Sequence, residues 1–111
     1  MTTALSNRRC LPLEGSACMG AEDIGRHLQF VDGWQLCAGA LEKTHRFGNF
    51  HQTMAFMNAV AWICHVEDHH PEAALGYDRC VLRFNTHSVN GISINDFICA
   101  AKIDALQPVD S

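Results

Sequence analysis

The sequence is organised around one stretch, HVEDHHP (residues 65–71), which holds three histidines and ends in a proline. Pro71 lacks a backbone donor and biases His70 toward an extended conformation. A helix that enters this stretch is therefore expected to end near His69, which places the imidazoles at a helix C-terminus. Because histidine titrates near neutral pH, side chains placed there can both give and take protons.

Upstream of this stretch, apolar residues recur at helical spacing. Asn49 is a suitable N-cap for them, so the pattern predicts an amphipathic helix over residues 50–66. Trp62 and Ile63 lie beside the apolar stripe, widen it, and are expected to serve contact between subunits. The residues of the stripe itself are Phe50, Met54, Met57, Ala61 and Cys64.

Downstream of Pro71, the pattern changes to alternation. It predicts a short strand at residues 74–77, a tight turn, and a strand at residues 80–86 that is followed directly by His87. Ser93 and Asp96 then form the S-x-x-D capping signature, which predicts a last helix over residues 94–106.

The first part of the chain supplies the remaining elements. Residues 1–19 are expected to form an irregular extension, and acidic residues near position 22 favour a short helix over residues 21–29. Two strands at 34–38 and 43–47, joined by a turn at 39–42, predict an antiparallel hairpin. We therefore predict a single α+β domain with the order α-β-β-α-β-β-α, built as a four-stranded antiparallel sheet with three helices on one face.

The composition excludes several classes of protein. The chain has 111 residues, a formal charge of −4 and no basic run, which argues against nucleic-acid binding. No stretch approaches the roughly 20 apolar residues that cross a bilayer, so no membrane association is expected. The N-terminus has no apolar signal-peptide region, and we expect a cytoplasmic protein.

The chain contains six cysteines, and in a reducing compartment they are expected to be free thiols. Cys10 and Cys18 fall in the predicted extension and have no CxxC spacing, which favours neither a zinc site nor a redox motif. The other four occur within apolar patterns, where cysteine acts as a small hydrophobe. They are Cys37, Cys64, Cys80 and Cys99.

Several of these residues together resemble a known signature. The combination His69-His70-Pro71-Glu72, Tyr77, Thr86-His87 and Ser93-x-x-Asp96 is similar to that of the pterin-4a-carbinolamine dehydratases. The resemblance implies residues 20–111 as the dehydratase-like domain. It implies dehydration of a 4a-hydroxytetrahydropterin to the quinonoid dihydropterin, in tetrahydropterin recycling for aromatic amino-acid hydroxylases. It also implies that no metal or cofactor is used and that the chain forms homodimers or homotetramers.

The resemblance assigns roles to individual residues. It implies His69, His70 and His87 as catalytic residues, and as substrate-binding residues Asp68, Thr86, Asp96 and His65. Dehydration needs a proton for the leaving hydroxyl and a base for the N5 proton, and we expect His69 and His87 to converge on the ring from separate elements. His70 is then expected to point elsewhere and to position the substrate. Asp96 is explained equally well as a helix cap and as a catalytic carboxylate.

Two positions depart from the family pattern. His65 stands where the family commonly has an acid, and Ala73 stands where an aromatic residue often follows the motif. If the long helix continues past residue 66, His65 lies one turn before His69 and the two side chains can meet.

Two alternative functions stay open. His65 and His69 have the spacing at which two histidines share a zinc ion, with His87 or Cys64 as a third ligand, although there is no His-Glu-x-x-His motif. The chain could also be a non-catalytic interaction module, such as a dimerisation or transcriptional cofactor. The intact set of three histidines favours the enzyme.

Overall fold

The computed structural model describes residues 4–106, which form three α-helices and one four-stranded antiparallel sheet. This confirms the predicted α+β class and the order α-β-β-α-β-β-α; residues 1–3 of the predicted extension and 107–111 of the predicted domain lie outside the described residues. The elements are a 3₁₀ turn at Leu5–Asn7, α1 (Ala21–Leu28), β1 (Gln35–Cys37), β2 (Ala40–Arg46), α2 (Phe50–Glu67), β3 (Glu72–Leu75), β4 (Arg79–Phe84), a 3₁₀ turn at His87–Val89 and α3 (Ile94–Asp104).

The sheet has the strand order β1-β2-β4-β3, so the two hairpins meet where β2 pairs with β4. The first hairpin turns through only two residues, Ala38 and Gly39, which have positive φ angles of 49° and 81°. Such a turn suits the right-handed twist of the flanking strands. The predicted turn at 39–42 was therefore too long, and β2 begins at Ala40 instead of residue 43.

The second hairpin is displaced from its predicted position. β3 begins directly after Pro71 and pairs Glu72 with Arg83, so it covers Glu72–Leu75 instead of residues 74–77. The Gly76 N–H donates to the Arg79 carbonyl at 2.8 Å, which places residues 76–78 in the connecting turn. β4 likewise ends at Phe84, two residues before the predicted end.

One face of the sheet carries the core. Alternate residues of β4 face the helices and are completely buried, while the residues between them face the opposite side. Residues of all three helices join this cluster, as the prediction of helices on one face requires. The buried β4 residues are Cys80, Leu82 and Phe84, and helix residues packed in the same cluster include Ile24, Phe56, Val60, Cys64, Phe97 and Ile103.

The N-terminal strap, residues 5–14, runs across the ends of α2 and α3. The Leu11 N–H donates to Asn95 Oδ1 at 3.2 Å, and Asn95 Nδ2 returns a hydrogen bond to the Leu11 carbonyl at 2.7 Å. The Cys10 N–H donates to Glu67 Oε1 at 2.8 Å. Apart from the 3₁₀ turn, this segment has no regular secondary structure.

No helix within residues 4–106 has both the length and the apolar character that crossing a bilayer requires.

Candidate active site

The long helix ends just before the paired histidines. Asp68 adopts the left-handed conformation (φ 53°, ψ 45°), and the N–H groups of Asp68 and His69 donate to the carbonyls of His65 and Cys64. These bonds satisfy the last carbonyls of the helix, in the manner of a left-handed C-terminal cap. α2 thus ends at Glu67, and His69 lies beyond it in a segment that leads to the proline.

His69 is held by a buried carboxylate. Its Nε2–H donates to Asp96 Oδ1 at 2.6 Å, and its ring stacks on Phe84 with centroids 5.8 Å apart. Asp96 is completely buried, and its Oδ2 accepts from the Ser93 N–H and from the Thr86 hydroxyl, both at 2.9 Å. Asp96 therefore caps α3, as one of its two predicted roles requires, and it also orients His69.

The three histidines of the signature line two different cavities. His70 and His87 line the outer cavity, which has a volume of about 480 Å³. His69 lines the strap cavity, of about 350 Å³, together with Asp68, Thr86 and residues 10–14 of the strap. The outer cavity is completed by Ala40, Pro71, Glu72, Arg83 and Asn85.

This arrangement differs from the predicted pairing of His69 with His87 across a cleft. The structure places His70 with His87 and turns His69 toward Asp96. The physical reason is the left-handed backbone of Asp68 at the end of α2, after which neighbouring side chains in a non-helical, extended segment point to opposite sides. His70 does point away from His69, as expected.

An ion pair forms part of the outer cavity. Arg83 donates from Nη1 to Glu42 Oε1 at 2.6 Å and from Nη2 to the Ala38 carbonyl at 3.3 Å, and its Nε lies 3.6 Å from Glu72 Oε1. The hydrogen bond to Glu42 raises the pKa of the Arg83 guanidinium, which is therefore a permanent cation in the site. Arg83 lies on the face of β4 opposite the core, and no sequence pattern indicated its partners.

His65 lies apart from these groups. Its ring packs against Trp62 with centroids 5.7 Å apart, and it lines neither the outer cavity nor the strap cavity. Because α2 ends at Glu67, the expected one-turn relation between His65 and His69 is not formed. Within residues 4–106, no three histidine, cysteine, aspartate or glutamate side chains are arranged to hold a metal ion.

Glu67 is a buried carboxylate to which no sequence pattern pointed. It accepts from the Cys10 N–H, pairs with Arg9 Nε at 2.9 Å, and lies 3.7 Å from Lys102 Nζ. Burial by itself raises the pKa of Glu67, but the hydrogen bonds from Cys10 and Arg9 and the charges of Lys102 and Arg9 outweigh it and lower the pKa. Glu67 therefore joins the strap to α3 at the residue that ends α2.

Comparison with known proteins agrees with the fold. The family model described as pterin 4 alpha carbinolamine dehydratase matches residues 18–106. A relative from Stenotrophomonas maltophilia is 52% identical over 105 residues, covering 92% of this chain and 90% of its own. One from Nitrosospira multiformis is 47% identical over 103 residues, covering 92% and 91%. Both carry the provisional name pterin-4-alpha-carbinolamine dehydratase.

Two solved structures are similar as well. A protein from Brucella melitensis, described as a transcriptional coactivator/pterin dehydratase, has a TM-score of 0.76 and 30% identity over 79% of this chain and 96% of its own. A pterin dehydratase-like protein described as a RuBisCO assembly factor in the alpha-carboxysome has a TM-score of 0.54 and 25% identity over 65% of this chain and 83% of its own. The chain belongs to the pterin-4-alpha-carbinolamine dehydratase family.

Proposed function

We propose that this protein removes water from a 4a-hydroxytetrahydropterin and releases the quinonoid dihydropterin. The observation that carries the proposal is the placement of two exposed imidazoles, His70 and His87, on one cavity beside the His69–Asp96 pair. The names of the relatives support the same chemistry. The outer cavity, at about 480 Å³, has the size of a typical small-molecule site, which suits a two-ring pterin.

The reaction needs one acid and one base. The C4a–O bond breaks as the hydroxyl takes up a proton and leaves as water, the N5–H bond breaks, and a C4a=N5 double bond forms. We assign the supply and the acceptance of these protons to His70 and His87, which both line the cavity. Acid–base catalysis of this kind contributes typically about 10²–10⁴-fold, so a slow uncatalysed reaction is expected beside the enzymatic one.

His69 contributes through its fixed orientation. Because its Nε2–H donates to Asp96, the neutral ring presents Nδ1 as its acceptor nitrogen. Asp96 is fully buried and can act on the substrate only through His69 and Thr86, so we assign it a positioning role. Asp68 and Thr86 line the strap cavity with His69 and do not line the outer cavity, so their proposed substrate-binding role requires the pterin to extend into the strap cavity.

We place the reaction in tetrahydropterin recycling beside an aromatic amino-acid hydroxylase, which forms the carbinolamine, and we expect the active form to be a homo-oligomer. Exposed apolar side chains on α2 support the second point, with Phe50 48%, Trp62 66% and Val66 42% exposed. Surface of this kind on one helix is typical of a protein–protein contact.

The test is a dehydration assay on the purified chain. The carbinolamine is generated in place by a pterin-dependent hydroxylase, and its decay is followed by absorbance with and without the chain. We expect acceleration that is proportional to the amount of chain and unchanged by a chelator such as EDTA. Loss of activity with EDTA and recovery with zinc would instead support the zinc enzyme.

A non-catalytic role is the second candidate, because the two related structures are described as a transcriptional coactivator/pterin dehydratase and as a RuBisCO assembly factor. The intact histidine set supports catalysis over this candidate. A chain that is folded yet leaves the carbinolamine decay at its uncatalysed rate would favour the non-catalytic role.

A further inference from the structure

Two thiols that lie far apart in sequence meet where the strap crosses α3. The Sγ atoms of Cys10 and Cys99 are 3.7 Å apart although 89 residues separate them. Cys99 is completely buried, whereas Cys10 is partly exposed. Among residues 4–106, no other pair of thiols has its sulfur atoms in hydrogen-bond contact.

The position of Cys10 is fixed by its neighbours. Its N–H donates to Glu67, its Sγ donates to the Asn95 carbonyl at 3.6 Å, and the next residue, Leu11, exchanges two hydrogen bonds with the Asn95 side chain. The strap therefore holds the Cys10 thiol against Cys99, with the two sulfur atoms 3.7 Å apart, compared with about 2.05 Å in a disulfide bond.

We propose that Cys10 and Cys99 form a redox-active dithiol that a low-molecular-weight disulfide, such as oxidised glutathione, converts to a disulfide bond. The Cys10 thiolate attacks one sulfur of glutathione disulfide and releases one glutathione. Cys99 then gives up its proton and attacks the Cys10 sulfur of the mixed disulfide, which releases the second glutathione. Two protein thiols are oxidised, one glutathione disulfide is reduced, and the two protons pass to the glutathione thiolates.

The surroundings assign the order of these steps. The hydrogen bond with Cys10 and burial raise the pKa of the Cys99 thiol, so Cys99 is the resolving thiol and the partly exposed Cys10 attacks first. Cys64 is the other buried thiol near this pair, and burial raises its pKa to about 11. A thiol of that kind is a poor competitor for the mixed disulfide.

Oxidation would tether the strap to α3. Residues 10–14 of the strap line the cavity that contains His69, so the bond would fix one wall of that cavity. A cross-link between residues this far apart restrains the unfolded chain strongly, and we expect the melting temperature to rise by roughly 10 °C or more. The disulfide bond and the melting temperature are measured without catalysis, so their outcome does not depend on the proposed reaction.

The experiment maps the bond by mass spectrometry. The full chain is incubated with oxidised glutathione, free thiols are alkylated, and the protein is digested without reduction. Trypsin alone leaves Cys10 and Cys18 in one peptide, residues 10–26, so a glutamate-specific protease is added to cut after Glu14. The expected product is a cross-link between peptides 10–14 and 84–102, with a melting temperature that rises and returns on reduction.

Three variants sharpen the result. Cys10→Ser and Cys99→Ala should each lose both the cross-link and the rise in melting temperature, whereas Cys18→Ser, which removes an exposed thiol from the same part of the chain, should keep both. A lasting adduct of Cys10 with glutathione, or a bond from Cys10 to Cys64 or Cys18, would overturn the assignment. A Cys10–Cys99 bond without a rise in melting temperature would contradict the proposal that oxidation tethers the strap to α3.

Discussion

Nε2 of His69 lies 2.6 Å from Oδ1 of Asp96, and this contact joins the segment after α2 to the first turn of α3. Asp96 is completely buried, and its second oxygen accepts from Ser93 and Thr86. Hydrogen bonds to an ionised acceptor are among the stronger ones in proteins. The geometry of the site thus depends on one carboxylate that is itself out of reach of the substrate.

Replacing this carboxylate tests its positioning role. In Asp96→Asn, the amide oxygen can still accept from Ser93 and Thr86, but the amide N–H₂ would then face His69 Nε2, which must become the acceptor. We expect the His69 tautomer to switch, visible in ¹⁵N NMR shifts, the dehydration rate to fall roughly 10²-fold, and stability to fall by about 1–3 kcal/mol. Asp104→Asn, on the opposite end of α3, is the control and should leave the rate unchanged. An unchanged His69 tautomer would contradict this account.

The exposed histidines should matter for rate and little for stability. His70→Ala and His87→Ala are each expected to lower kcat/KM by about 10²-fold or more, with unfolding free energies within about 0.5 kcal/mol of wild type because both side chains are exposed. The double variant should lose less than the product of the single losses. His51→Ala removes an exposed histidine of α2 and should change neither quantity. Unfolding in proportion to the lost activity would show that these histidines are structural.

Asp68 combines a conformational role with a proposed binding role. Its left-handed backbone is tolerated by asparagine and glycine, so Asp68→Asn should keep stability within about 0.5 kcal/mol of wild type, whereas Asp68→Val should cost about 1–2 kcal/mol. If the carboxylate contacts the substrate, Asp68→Asn should raise KM roughly tenfold, the size of one charged hydrogen bond. Urea unfolding and steady-state kinetics separate the two effects, and an unchanged KM would remove Asp68 from the substrate site.

Glu67 should make stability depend on pH. Its pKa is lower in the folded state than the ordinary value of 4.5, so the unfolded chain binds more protons at acidic pH. The stabilisation is therefore present above about pH 4.5 and is lost as the pH falls through the lower folded-state pKa. Glu67→Gln should cost about 1–3 kcal/mol at pH 7 and progressively less toward pH 3, as measured by urea unfolding. Glu22→Gln, an exposed change on α1, is the control, and a cost independent of pH would contradict the assignment.

The exposed apolar side chains of α2 predict self-association. The chain has a mass of 12.3 kDa, and we expect light scattering at micromolar concentration to give at least twice that value. Trp62→Glu should shift the population toward the monomer, because it places a charge on the apolar surface, whereas Asn58→Glu adds a charge at an exposed polar position of the same helix and should not. A monomeric mass for the wild type would refute the prediction.

The elements could be predicted because local patterns determine them. The alternation of β4 follows from which residues meet the core, and the Ser93–Asp96 signature located the start of α3. The helical spacing located α2 but not its buried face, because Phe56, Val60 and Cys64 pack in the core whereas Phe50 and Ala61 of the predicted stripe are exposed. The turns were predicted less accurately, because Ala38 adopts a left-handed backbone that is unusual for alanine.

The residues that line the candidate site could be predicted better than their arrangement. The signature named His69, His70 and His87, but their division between two cavities depends on the left-handed backbone of Asp68, which sets the direction of the chain after α2. Glu67 could not be found, because its partner Cys10 lies 57 residues away. The contact of Cys10 with Cys99 could not be predicted either, because 89 residues separate them in the sequence.

The left-handed backbone of Asp68 determines the directions in which the side chains of the residues after it point. Two successive histidines that pointed in the same direction would have the same surroundings. Here the imidazole of His69 faces the buried Asp96 carboxylate, and the imidazole of His70 faces solvent. Inserting or deleting one residue at this corner would exchange their surroundings while leaving the composition of the motif intact. A single bend therefore gives two adjacent histidines different surroundings. The surroundings of each histidine are determined by its position relative to that bend.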